Sequence, residues 1–134
     1  MSTATARYTG NLRTEAVHSA SGTTIFTDAP VDNHGRGESF SPTDLVSAAL
    51  GTCMMTIMGI VAERQQLNLT GVSFEVQKHM ATEPRRIAQI DVTFRMPATL
   101  SDKERTILEN AARTCPVALS LNPEIRQEVQ FLYE

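Results

Sequence analysis

The eighteen residues from Leu45 to Ala62 carry no formal charge, and no other feature of the chain constrains its fold as strongly. A membrane-spanning helix needs roughly 20 predominantly apolar residues, so this run sits at the lower edge of that class. Two features favour a soluble alternative. Ser47, Gly51, Thr52, Thr56 and Gly59 dilute the hydrophobicity, and the rest of the chain holds several half-apolar strands that need something buried to pack against. A helix apolar on nearly all faces belongs at the centre of a domain or of a dimer, covered on more than one side. No membrane association is expected.

The residues flanking this run define its ends and its partners. Ser41-Pro42-Thr43-Asp44 predicts a helix start, with Ser41 as cap, Pro42 at the first helical position and Asp44 closing a capping box. Before it, the alternation of Ala4, Ala6 and Tyr8, the Gly10-Asn11 turn signal and the run from Leu12 to His18 predict a hairpin. Thr23–Thr27 predicts a third strand, and Asp28 to Phe40 has loop chemistry. After the helix, Val72, Phe74, Val76 and Met80 share one strand face, as do Ala88, Ile90, Val92, Phe94 and Met96. Their opposite faces are polar, which predicts a one-sided sheet of antiparallel character. Ser101-Asp102-Lys103-Glu104 is a second capping box before an apolar stripe of Ile107, Leu108, Ala111 and Ala112. Pro116 ends that helix and begins a short one to Leu121, and Ile125, Val129, Phe131 and Tyr133 predict a last strand. With 134 residues and no repeat or linker, the expectation is one α+β domain spanning 1–134.

Composition removes several classes of function. With 12 Lys+Arg against 15 Asp+Glu and only Arg85-Arg86 as a basic run, there is no footprint for nucleic acid. Two cysteines do not make a secreted disulfide scaffold, and Met1-Ser-Thr-Ala lacks the features of a signal peptide, so a cytoplasmic location is expected. His18, His34 and His79 are scattered without ligand spacing, so no metal is expected. Gly35-Arg36-Gly37 lacks the pattern and context of a phosphate-binding loop, so no nucleotide cofactor is expected either. The clustered Met54, Met55 and Met58 suit core filling, or the wall of an apolar pocket beside Cys53.

Chemistry then rests on Cys53 and Cys115. They lie 62 positions apart, too far for a redox Cys-x-x-Cys or a metal pair, so joint action depends on the fold. Cys115 precedes Pro116 at the start of the short helix, where unpaired N–H groups and the macrodipole favour a thiolate; a lowered pKa is expected there. Cys53 is too deep in the long helix for the dipole and needs a nearby cation, for which an arginine is the natural candidate.

The segment from Phe40 through Ser-Pro-Thr-Asp-Leu to Cys53-Met-Met, followed by Thr114-Cys115-Pro116-Val, resembles the two cysteine motifs of the OsmC/Ohr superfamily. The order of elements is similar across nearly the whole chain. The resemblance implies antiparallel sheets packed around a long central helix in an intertwined homodimer, with Ala48, Gly51 and Gly59 allowing close approach of backbones. It further implies a thiol-dependent peroxidase acting on a hydroperoxide substrate. Cys53 would be the peroxidatic nucleophile, Cys115 would resolve it as a disulfide, and an external dithiol would be the reductant. Apolar Leu50, Met54 and Met58 would suit an organic peroxide.

Departures from the family pattern bear on the thiolate's partners. The family places Glu after the Pro of the helix start, where this chain has Thr43. Asp44 is engaged by the capping box, so Glu38 is the substitute candidate. The family's arginine lies in a Gly-Arg-Asp-Gly hairpin segment; here Asn11-Leu12-Arg13-Thr14 keeps the arginine without the glycines, and Arg13 is the candidate with Arg36 as backup. The alternatives are a non-catalytic dimer that binds or senses a small molecule at the same thiol-lined pocket, and a dimer in which both cysteines only pack.

Overall fold

A computed structural model describes residues 1–134, and the chain divides into two compact units, Met1–Val46 and Ser47–Glu134. In the first unit β1 (Ala4–Gly10), β2 (Arg13–His18) and β3 (Thr24–Asp28) form an antiparallel sheet in that order. The β1–β2 connection is the two-residue turn Asn11-Leu12, whose φ values of 56° and 61° match the twist of a tight hairpin. Asn tolerates this region; Leu12 occupies it at a steric cost that a glycine would not incur. In the β2–β3 ladder Arg13 stands opposite Asp28.

The loop after β3 includes one 3-10 turn, Val31–Asn33, and leads to α1 (Pro42–Arg64). The expected capping box is present: the Asp44 N–H donates to Ser41 Oγ at 3.0 Å, and the Ser41 N–H donates to Asp44 Oδ2 at 3.0 Å. Thr43 spends its hydroxyl beside Ser41 Oγ, at 3.2 Å.

The second unit is organised by the face α1 buries. Ser47, Leu50, Gly51, Met54, Met58 and Ala62 recur at the three- and four-residue spacing of one helical stripe. They share a core with Ile90, Val92, Phe94 and Met96 from the sheet, Leu108 and Ala112 from the following helix, and Cys115. The sheet comprises β4 (Ser73–Ala81), β5 (Arg86–Met96) and β6 (Arg126–Tyr133), with β5 central. Phe74, Phe94 and Phe131 lie side by side across its three strands, with ring centroids 5.7 and 5.3 Å apart. By composition α1 is long and apolar enough to cross a membrane, and 33% of its most apolar window is buried within the chain. Two of the hydroxyls that dilute it lie on the exposed side of the helix and bond back to its own carbonyls: Thr52 donates to Ala49 O at 3.1 Å and Thr56 to Thr52 O at 2.7 Å.

One pairing departs from the antiparallel expectation. β4 and β5 are antiparallel, whereas β6 runs parallel to β5. The cause is the connection: α2 (Asp102–Arg113) and α3 (Pro116–Ser120) carry the chain back before β6 begins, and a helical crossover delivers its strand in the original direction. A second correction concerns Gly51. Its missing side chain accommodates Phe74 of the same chain, since a Cβ there would stand 2.3 Å from the ring.

Gly51→Ala should therefore destabilise the protein. Overpacking costs about 1–3 kcal/mol, against a gain of about 1 kcal/mol in helix propensity. Urea midpoints of Gly51→Ala, Phe74→Ala and the double variant test this as a cycle: with the ring gone the alanine should cost nothing further. Equal cost in both backgrounds would show that Phe74 is not what excludes the Cβ.

Candidate active site

Cys53 and Cys115 are both free, and they meet in the second unit. Cys53 sits on α1 next to the buried stripe and is half-buried against the core. Cys115 is 0% exposed and occupies the N-cap position of α3. Pro116 explains the geometry, because it pushes the preceding residue out of the helical region while fitting the first helical position itself. The Ala118 N–H donates to Cys115 Sγ at 3.3 Å, so the sulfur does the work that a serine or aspartate oxygen does at other helix starts. Gln127 of β6 holds α3 in place by donating from Nε2 to Ala118 O at 3.0 Å. The two thiols lie near enough to each other for Cys53 to bear on the ionisation of Cys115.

The acidity of Cys115 runs opposite to the sequence expectation. Its pKa is raised, first because burial penalises the thiolate and also because Cys53 stands beside it; the N–H groups of Ala118 and Val117 pull the other way and lose. The helix start was foreseen correctly, but desolvation outweighs two amide dipoles when the sulfur has no exposed surface. Leu50, Met54 and Met58, offered as walls of a peroxide pocket, are at most 1% exposed and belong to the core. They act as core filler and carry no argument about substrate.

The charged candidates cluster in the first unit. Arg13 grips Asp28 with both ends of its fork, Nε to Oδ1 at 2.7 Å and Nη2 to Oδ2 at 2.8 Å. Glu38 lies second, with its carboxylate 3.5 Å from Arg13 Nη2, and its backbone N–H donates to Asp28 Oδ2 at 3.0 Å. Arg36 pairs with Glu38 at 3.3 Å. The structure thus brings Arg13, Glu38 and Arg36 together around a residue that sequence reasoning left in a loop. Asp28 is a fully buried carboxylate, held below its usual pKa chiefly by the Arg13 hydrogen bonds and against the opposing effect of burial. Arg13 is held correspondingly above its ordinary value, first by the bond to Asp28. The signal that locates Asp28 is ladder arithmetic: once the turn after His18 fixes Thr14 opposite Thr27, Asp28 must face Arg13.

No grouping of three or more His, Cys, Asp and Glu side chains is arranged to hold a metal.

The model of the OsmC-like protein family matches residues 35–130. A crystal structure from Psychrobacter arcticus, described as an osmotic stress induced and detoxification response protein, shares 46% identity, covers 98% of this chain and 96% of its own, and superposes with a TM-score of 0.95. An organic hydroperoxide resistance protein OsmC from Legionella pneumophila superposes at 0.76, with 17% identity over 98% of each chain. An organic hydroperoxide resistance protein from Elizabethkingia anophelis superposes at 0.77, with 13% identity over 100% of this chain and 98% of its own. These last two show likeness of fold. No curated protein sequence matches.

The depressed pKa of Asp28 has a stability consequence. A carboxyl whose folded-state pKa lies below its unfolded value stabilises the fold above about pH 4, and that contribution disappears as pH falls through the folded-state value. The wild type should therefore exceed Asp28→Asn in thermal unfolding temperature at neutral pH, and the gap should close on acidification. A gap unchanged down to about pH 2 would show that the Asp28 charge is not the source.

Proposed function

The chain belongs to the OsmC-like protein family, and from that footing we propose that it serves a redox stress response as a thiol-dependent peroxidase of organic hydroperoxides. The observation that carries this reading is a pair of neighbouring free thiols with unequal exposure, Cys53 half-buried and Cys115 wholly buried. Relatives of the same fold named for organic hydroperoxide resistance support the substrate class. The detoxification description of the much more similar Psychrobacter protein supports the physiological setting.

The chemistry needs two sulfurs and no cofactor. Cys53, as thiolate, attacks the terminal oxygen of the hydroperoxide; the O–O bond breaks, the alkoxide takes a proton and leaves as alcohol, and Cys53 becomes a sulfenic acid. The Cys115 thiol then displaces hydroxide from the Cys53 sulfur, giving the Cys53–Cys115 disulfide and one water. An external dithiol returns both cysteines to thiols and is itself oxidised to a disulfide. Arg13 and Glu38 are assigned to thiolate stabilisation by family resemblance, with Asp28 as the partner that fixes the Arg13 fork.

We place this chemistry in a homodimer in the cytoplasm. The dimer is supported by the uncovered apolar side chains of α1, where Ile60 is 42% exposed, and of the first sheet, where Phe26 is 43% exposed. A three-stranded sheet that leaves apolar side chains uncovered needs an apolar partner surface.

Intact-protein mass after mixing with cumene hydroperoxide tests the assignment. Wild type should lose two hydrogens, Cys115→Ser should gain one oxygen and stop, and Cys53→Ser should remain unreacted on the timescale of wild-type turnover. A fast oxidation in Cys53→Ser would move the nucleophile elsewhere. Arg13→Ala should slow the first oxidation at neutral pH, with Arg13→Lys retaining part of the rate because the charge survives without the fork. Unchanged rates in both would remove Arg13 from the site.

A further inference from the structure

The inward side of β6 is apolar with one exception. Ile125, Val129, Phe131 and Tyr133 pack against the core, and Gln127 sits among them at the same two-residue spacing, half-buried and paired with Ile90 in the ladder. An amide on such a face costs free energy unless its hydrogen bonds are made. Gln127 makes one to Ala118 O, donating from Nε2 at 3.0 Å. That carbonyl lies in a five-residue helix, and the last carbonyls of a helix have no partner further along it. The Leu119 and Leu121 N–H groups reach back to Cys115 O and Val117 O, so the strand supplies to Ala118 O what the helix does not.

Resting on the two-cysteine reading above, we propose that Gln127 is a positioning residue acting through Cys115: its bond to Ala118 O fixes the orientation of α3 on β6 and thereby keeps the Cys115 sulfur buried beside Cys53. The chain of contacts is short. Cys115 is the N-cap of α3, and its sulfur takes the Ala118 N–H at 3.3 Å. The residue whose carbonyl is tethered is therefore also the one whose N–H holds the sulfur. A helix of five residues is far below the length of about 12–15 at which a helix is marginally stable alone, so its shape depends on what it is fastened to.

Apolar packing alone does not select this orientation. Val117 and Ala118 pack against the core, while Leu119, the largest apolar side chain of the helix, is 72% exposed. A turn of α3 by one residue, about 100°, would exchange Ala118 for Leu119 against the core and bury more apolar surface. It would also break the Gln127 bond and displace the N-cap sulfur. Hydrophobic contact is non-directional and a hydrogen bond is directional, so Gln127 is the group that distinguishes the two orientations. Disulfide closure requires Cys115 Sγ in line with the Cys53 sulfur, and a misplacement of about 1 Å slows such a step by about tenfold or more. The first oxidation uses Cys53 and is indifferent to where α3 lies.

Gln127→Met tests this, since it keeps an unbranched side chain of similar length and removes the donor; Gln127→Leu replaces it if the methionine variant does not fold. Val129→Ala, which loses packing from the same strand face but no hydrogen bond to α3, is the control for general loss of stability. In the Cys53→Ser background, where Cys115 is the one thiol, N-ethylmaleimide should label Gln127→Met about tenfold faster than its parent, because the tether's loss opens α3 locally. Val129→Ala should label at close to the parent rate. With both cysteines present and one equivalent of cumene hydroperoxide, dimedone should trap a Cys53 sulfenic acid in Gln127→Met that the parent converts to disulfide. The rate of first oxidation, read in the Cys115→Ser background, should be unchanged by Gln127→Met. Labelling at the parent rate, an equal rise in Val129→Ala, or faster labelling without added dimedone trapping overturns the proposal. If hydroperoxide leaves the parent unoxidised, the peroxidase reading fails, and the labelling comparison still decides whether Gln127 positions Cys115.

Discussion

The fit of Gly51 against the ring of Phe74 sets how closely α1 can lie on its sheet, and the placement of Cys53 descends from that contact. With the stripe through Leu50, Gly51, Met54 and Met58 turned to the core, each neighbouring residue is rotated by about 100° around the helix axis. Cys53, one residue before Met54, therefore falls at the margin of the buried stripe. It packs against the core without being sealed in it. A helix shifted by one residue would bury Cys53 completely or carry it out to the exposed side of the helix.

The first unit depends on a different kind of interaction. Asp28 has no exposed surface, and a buried carboxylate is tolerable only where charge and hydrogen bonds replace lost water. Arg13 supplies both through its fork, and the Glu38 N–H adds a third bond. The arrangement also fixes the arginine: a guanidinium held at Nε and Nη2 has little freedom left, whatever it faces. That rigidity is consistent with the strained Leu12 at φ 61° immediately before it, since a tightly held neighbour and the hairpin turn together over-determine its conformation.

Much of this architecture was legible in local patterns. The two capping boxes, the alternation along β4 and β5, and the Cys115-Pro116 helix start each depend on residues within a few positions of one another, and each appears in the structure. What the sequence did not disclose depends on pairs distant along the chain. The direction of β6 follows from how two helices cross over the sheet. The role of Gly51 is set by Phe74, and that of Asp28 by the β2–β3 register. The sign of the Cys115 shift belongs to the same class, because it balances a local effect, the helix-start amides, against burial by residues from three other elements.

That balance bears on how two adjacent cysteines divide one reaction. A resolving thiol that ionised readily would compete for peroxide, and its own sulfenic acid would form where nothing holds it for productive condensation. In the proposed cycle burial would suppress this twice, by excluding the peroxide and by favouring the protonated form of Cys115. Resolution would not suffer proportionately, because the partner sulfur belongs to the same chain and is near at hand. The division of labour proposed for Cys53 and Cys115 thus rests on the unequal burial of the two sulfurs, which the helix-start amides beside Cys115 are too weak to offset.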